Sequence, residues 1–312
     1  NHIGFDAAGT IGQILEEIQL PVAAWYVDSP EFILGNEGVP ASSITTLFMW
    51  EKTLLPKLNA LGLEHAHYLP LATDVGVFKP RKLTLKQKLC FVGSSMAELQ
   101  KKWDARLHTK HEEIANKASQ TLYQNRNADL VSLIHEKLDP AESQTTLDII
   151  GASTWRATAQ YRNELLKRFD GPALTIYGDN HWKKIMPKSR FKGSVNYGKP
   201  LSKVYETSTI NLNATSLQMR TAINQRVFDV PGSGGFILTD AQEDALIHFE
   251  NDKEIITYQC AEELKEKANY YQKNESARAA VIKAGYRRIQ ACHTYQHRLQ
   301  SLVEVMQRRH GL

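Results

Sequence analysis

The residues best suited to chemistry lie between Ile210 and Asp240, where the chain reads INLNATSLQMRTAINQRVFDVPGSGGFILTD. The pattern is strand, loop, helix, glycine turn, strand. Arg226 and Asp229 stand three residues apart and so share a helical face, a spacing that also suits a local ion pair. As a ligand site, the guanidinium would meet phosphate charge and the carboxylate would accept from the paired hydroxyls of a ribose. The helix start adds free N–H groups and a positive dipole end, and Asn213, Thr215, Asn224 and Gln225 put amides and a hydroxyl around it. The expected ligand is a nucleoside diphosphate.

Two other stretches invite the same reading. Gly232-Ser233-Gly234-Gly235 has phosphate-loop composition but the wrong order, because it follows a helix and precedes a strand. A helix C-terminal cap with tight packing explains it first, and close approach of the Gly234 backbone to a ligand second. Gly151-Ala152-Ser153-Thr154-Trp155-Arg156 reads as the turn from a strand over 147–151 into a helix over 155–169. There Gly151 and Ser153 would admit a diphosphate or sugar, and Arg156, a cation at a helix start, would meet its charge or serve a surface or interdomain role. Tyr177 and Gly178 close the next strand, with the Tyr177 ring either packed in the core or against a base or sugar.

Metal chemistry has little support. His293 and His297 have helical spacing but lack an intervening glutamate or a third ligand, and there is no Asp-x-Asp motif. His65 and His67 read as surface or strand-end residues, and the three cysteines, Cys90, Cys260 and Cys292, lack paired spacing.

These groups must be held by alternating elements. Helical periodicity over 11–18, an apolar run over 22–27, a helix over 45–61 and a short strand over 67–70 form a first unit. It opens at Asn1 in what resembles a strand end, so this unit is expected to be incomplete. Residues 80–88 are basic and linker-like, and 89–93 is a strand. The stretch 96–138 carries helical stripes of apolar residues in a charged background and is expected to be an inserted helical pair. Strands over 173–178, 210–213 and 236–239 follow, with helices over 262–271, 276–291 and 295–307. Such alternation predicts parallel sheets covered on both faces, an α/β architecture.

At 312 residues the chain is long enough for two domains, and 42% hydrophobic with 23% charged residues is a globular composition. The net charge of +4 is dispersed among acidic residues, which argues against nucleic acid and leaves weak contact with anionic membrane surface or phosphorylated substrate. No apolar stretch is long enough to span a bilayer, and a cytoplasmic location is expected.

The stretches Gly193-Ser194-Val195-Asn196-Tyr197-Gly198, Ile210-Asn211-Leu212-Asn213, Arg226-Val227-Phe228-Asp229 and Gly234-Gly235-Phe236-Ile237-Leu238-Thr239-Asp240 resemble the C-terminal half of the CgeB-like glycosyltransferases. The ending from His293 to Leu299 is similar too. Residues Ala72 to Pro80 distantly resemble the segment that closes the N-terminal domain of family-4 glycosyltransferases. The resemblance implies a GT-B fold: an acceptor-side domain over 1–88, a nucleotide-sugar domain over 89–292 with a helical insertion at about 95–145, and a C-terminal helix over 293–312 crossing back. It implies transfer of a sugar from a nucleoside diphosphate, UDP first, to a hydroxyl on a saccharide, glycoconjugate or protein, with retention and without a metal. Asp229 falls where relatives place a ribose-binding glutamate. Asp6 and Asp28 fall near strand ends where an acceptor hydroxyl would be oriented or deprotonated, although capping a turn or starting a helix explains each first. A nucleotide-sugar epimerase and a non-catalytic spore-coat-type protein are the alternatives.

Overall fold

A computed structural model describes residues 10–29, 32, 43–60 and 65–311. Asp6 lies outside the described residues, as does the expected strand end at Asn1. The first parallel sheet has the order β1-β2-β3, formed by Val22–Tyr26, Thr45–Met49 and Ala66–Tyr68. The helices α1 (Thr10–Glu17) and α2 (Leu55–Ala60) accompany it. The helix expected over 45–61 is a strand for its first five residues. Thr45 and Thr46 are β-branched, and Leu47 to Met49 is a continuous buried run, which suits a strand enclosed on both faces.

The second sheet is six-stranded and parallel, with order β6-β5-β4-β7-β8-β9. Its strands are β4 (Gln87–Val92), β5 (Leu174–Tyr177), β6 (Arg190–Phe191), β7 (Ser208–Leu212), β8 (Ile237–Asp240) and β9 (Ile256–Tyr258). Strand order reverses between β4 and β7, which pair in register Leu89 to Ile210 and Phe91 to Leu212. In open sheets of this kind, ligands bind in the crevice at the carboxyl ends of strands at such a reversal.

Between β4 and β5 run α3 (Ala97–Asp104), α4 (Glu112–Gln124), α5 (Leu130–His135) and α6 (Ser143–Lys167). The expected strand over 147–151 is therefore absent, because α6 is continuous through it. Small residues at 151–154 mimic a turn in sequence. Their cause is packing: a Cβ on Gly151 would lie 2.1 Å from the Trp103 ring, so only glycine lets α3 approach. The remaining helices are α7 (Trp182–Ile185), α8 (Lys199–Glu206), α9 (Arg226–Gly232), α10 (Glu243–His248), α11 (Ala261–Lys273), α12 (Glu275–Cys292) and α13 (Tyr295–His310). The last lies along the first sheet, where Arg309 donates to Thr45 O at 2.6 Å and Arg298 to Leu71 O at 3.1 Å.

Candidate functional site

A cavity of about 730 Å³ opens at the carboxyl ends of β4, β5 and β6. Its walls include Gly93, Ser94, Tyr177, Gly178, Gly193 and Ser194. Each glycine has a separate reason. A Cβ on Gly178 would strike Gly93 O at 2.3 Å, whereas Gly193 has φ of +72° and open space where a side chain would stand. Asp179 shapes the rim by accepting from the Ser95 N–H and hydroxyl, both at 2.7 Å, and from the Ser94 hydroxyl at 3.0 Å. Burial pushes its pKa up, but these donors and the His181 N–H outweigh that and hold it below the usual carboxylate range.

Arg226 stands at the strand reversal. Its Nη1 donates to Asn213 Oδ1 at 2.6 Å, and its Nη2 would lie 3.4 Å from a Cβ on Gly93, which lines the cavity. No carboxylate among the described residues pairs with it. Beneath it Arg162, only 3% exposed, reaches from α6 to donate to Ser94 O at 2.8 Å and Ala214 O at 3.2 Å. Burial, reinforced by the Arg226 charge, pulls the Arg162 guanidinium down to about 9, still cationic at neutral pH. Arg226 thus stands at the crevice between β4 and β7 with a second, buried cation behind it, a field suited to a diphosphate.

Of the expected site residues, Arg226, Tyr177 and Gly178 come together here. The others do not. Gly151 and Ser153 are buried inside α6, where the Ser153 hydroxyl donates to Ile149 O at 2.7 Å. Arg156 is tied to Asp104 at 2.8 Å and Glu112 at 3.0 Å, so its charge is answered within the helical insertion. Gly234 takes φ of +73° after α9 and packs on Pro80, as a helix C-terminal cap does. Asn213, Thr215 and Asn224 are buried in one network: Asn224 Nδ2 donates to Asn213 Oδ1 at 3.0 Å and Thr215 Oγ1 to Asp240 at 2.6 Å. They support Arg226 from below and leave no side-chain surface for a nucleotide.

The start of α9 also differs from expectation. Its first N–H groups are taken by Asn224 and Gln225: Arg226 N donates to Asn224 Oδ1, and Phe228 N and Asp229 N to Gln225 O. Gln225 itself donates to Ala72 O and Asp229. Asp229 is 1% exposed, its carboxylate accepting from Thr73 Oγ1 at 2.6 Å and from Gln225 Nε2 and Tyr197 Oη, each at 3.1 Å. The pentose grip expected of it is closed off, because Tyr197 stands between the carboxylate and solvent. Burial raises its pKa to about 7, against the lowering effect of those three donors.

Asp28 is exposed just after β1 and is not among the residues lining the cavity at β4 to β6. Its neighbour Ser29 lines a second cavity of about 450 Å³ between the first sheet's strand ends and the helical insertion. Among the described residues, no group of three His, Cys, Asp or Glu side chains is arranged to hold a metal ion, and no helix is long and apolar enough to cross a membrane. Sequence reasoning did not single out Arg162 or the Gly93–Ser94 wall of the cavity. For Arg162 the available signal was an arginine within an otherwise buried helical stripe, and for Gly93–Ser94 it was the small polar pair directly after a strand.

Residues 154–304 match the family model described as Glycosyl transferase-like. Comparison with curated protein sequences gives no match. Among solved structures, HepE of Anabaena in complex with UDP-glucose is similar at TM-score 0.55 and 10% identity, over 95% of this chain and 75% of that one. A glycosyltransferase from Rickettsia africae is similar at TM-score 0.54 and 10% identity, over 97% and 80%. TarM is similar at TM-score 0.51 and 9% identity, and the chain spans about half of its length, 92% of this chain against 50% of that one. The likeness establishes the architecture: this chain has the GT-B fold, two Rossmann-like domains facing across a cleft.

Proposed function

We propose that the protein is a glycosyltransferase that moves a sugar from a nucleoside diphosphate to a hydroxyl acceptor. The observation that carries this is Arg226: a guanidinium without a carboxylate partner, placed at the strand reversal beside an open cavity of about 730 Å³. The base and ribose fit the cavity between Tyr177, Gly178 and Gly193, and the diphosphate lies toward Arg226 with Arg162 beneath. As the glycosidic bond breaks, negative charge grows on the leaving diphosphate, and fixed cations there stabilise it without reorganisation. The acceptor, a saccharide, glycoconjugate or protein, enters from the side of the first sheet, where Asp28 orients its hydroxyl. The similar HepE structure holds UDP-glucose, which favours a UDP-sugar as donor. Membership of the CgeB-like group and retention of configuration rest on the sequence resemblance.

Calorimetric titration with UDP, GDP and ADP tests the reading. One of them, UDP first, binds the unaltered protein, and Arg226→Ala weakens binding by roughly 10- to 100-fold, the worth of a hydrogen bond to a charged group. Mass spectrometry with UDP-sugars and mixed acceptors then identifies the product. Binding of no nucleotide overturns the proposal, and a product in which the sugar stays on its nucleotide redirects it to epimerisation.

A further inference from the structure

Glu51 follows β2 on the first domain, yet it is 1% exposed and its carboxylate is turned to the second. Oε2 accepts from the N–H groups of Arg220, Thr221 and Ala222 at 2.9, 3.1 and 3.1 Å. Oε1 accepts from Thr221 Oγ1 at 2.6 Å and from the Thr53 hydroxyl at 2.9 Å. Successive amides converging on one oxygen form an anion-binding concavity, here filled by the chain's own carboxylate. With donors crowded on both oxygens, Glu51 has no acceptor capacity left to take a proton from a substrate. It can act only through the loop it holds.

That loop joins β7 to α9, and Arg226 stands four residues beyond Ala222. We infer that Glu51 is a positioning residue of the donor site: by gathering the 220–222 amides it fixes the loop that aims Arg226, so the diphosphate site is complete only when the domains are docked. The inference rests on the donor reading proposed above. Without the carboxylate, the buried amides of Thr221 and Ala222 and the half-buried amide of Arg220 lose their acceptor, and the loop must move to satisfy them.

The test compares UDP with uridine, which lacks the phosphates and so reports only on the pocket at β4 to β6. In Glu51→Gln, whose fold is checked by its melting curve, UDP affinity falls about tenfold or more. Uridine affinity is unchanged. Thr221→Val removes one donor, keeps the amides bonded and produces a smaller fall of the same kind, which carries the test should the glutamine variant not fold. Equal weakening of UDP and uridine would mark a general structural role and overturn the inference. So would full UDP affinity in folded variants. If the unaltered protein binds no nucleoside diphosphate, the donor reading fails first and this one with it.

Discussion

Arg226 and Asp229 share a helical face, but their surroundings assign them opposite tasks. Arg226 keeps its charge available at the crevice, whereas Asp229 is enclosed by Thr73, Gln225 and Tyr197 and joins the two domains. Spacing alone could not separate these roles, because the Thr73 hydroxyl that closes on Asp229 lies 156 positions away. The enclosure has a consequence for pH. With a pKa of about 7 when folded against 3.8 as a free side chain, the folded state holds a proton that the unfolded chain has released at intermediate pH. The associated stability is fully present below the unfolded value and is lost as pH rises through about 7, in total up to roughly 4 kcal/mol. Urea unfolding at pH 4.5 and 7.5 should therefore show the native protein losing more stability over this range than Asp229→Asn. Parallel pH profiles for the two would refute the assignment.

At the scale of elements, the alternating series was legible wherever apolar runs were bounded by polar turns. The strands at 89, 174, 210 and 237 and the three C-terminal helices stand within a few residues of their expected positions. The errors share a cause. Gly151 to Thr154 and Thr45 to Trp50 have compositions whose meaning depends on what packs against them, and the partner of Gly151, Trp103, belongs to another helix. Hence the turn expected at 151–156 is helix interior, whereas the Tyr177–Gly178 end of the next strand lines the cavity at β4 to β6. Gly151→Ala distinguishes the two interpretations. Alanine gains up to about 1 kcal/mol in helix propensity, but the clash with Trp103 costs about 1–3 kcal/mol, so the urea midpoint should fall. Nucleotide affinity should be unaffected, since Gly151 lies away from the cavity. A stabilised protein, or one that folds normally but loses UDP, would restore the turn interpretation.

Across the whole molecule, the cleft between two GT-B domains would ordinarily be a place of independent motion, as interfaces between domains are small and polar by default. Here one buried apolar cluster spans both. Tyr26, Met49 and Trp50 of the first sheet pack in continuity with Phe228, Val230 and Phe249 of the second domain. Polar ties border it: Glu51 on the 220–222 amides, Thr73 on Asp229, and Tyr68 donating to Asp244 at 2.7 Å. The last helix closes the arrangement, with Arg298 on the Pro70 and Leu71 carbonyls at 2.9 and 3.1 Å and Arg309 on Ser43 O at 2.9 Å. Separating the domains would expose the shared apolar cluster and leave buried donors without acceptors, so neither domain gains by unfolding alone. Scanning calorimetry should then give a single transition whose van't Hoff and calorimetric enthalpies agree. Phe228→Ala, which opens a cavity at the junction and removes about 3–5 kcal/mol, should move that whole transition to lower temperature without splitting it. Two resolved transitions in the unaltered protein would mean that the domains fold independently, and the coupling of Glu51 to the donor site would then have no mechanical basis.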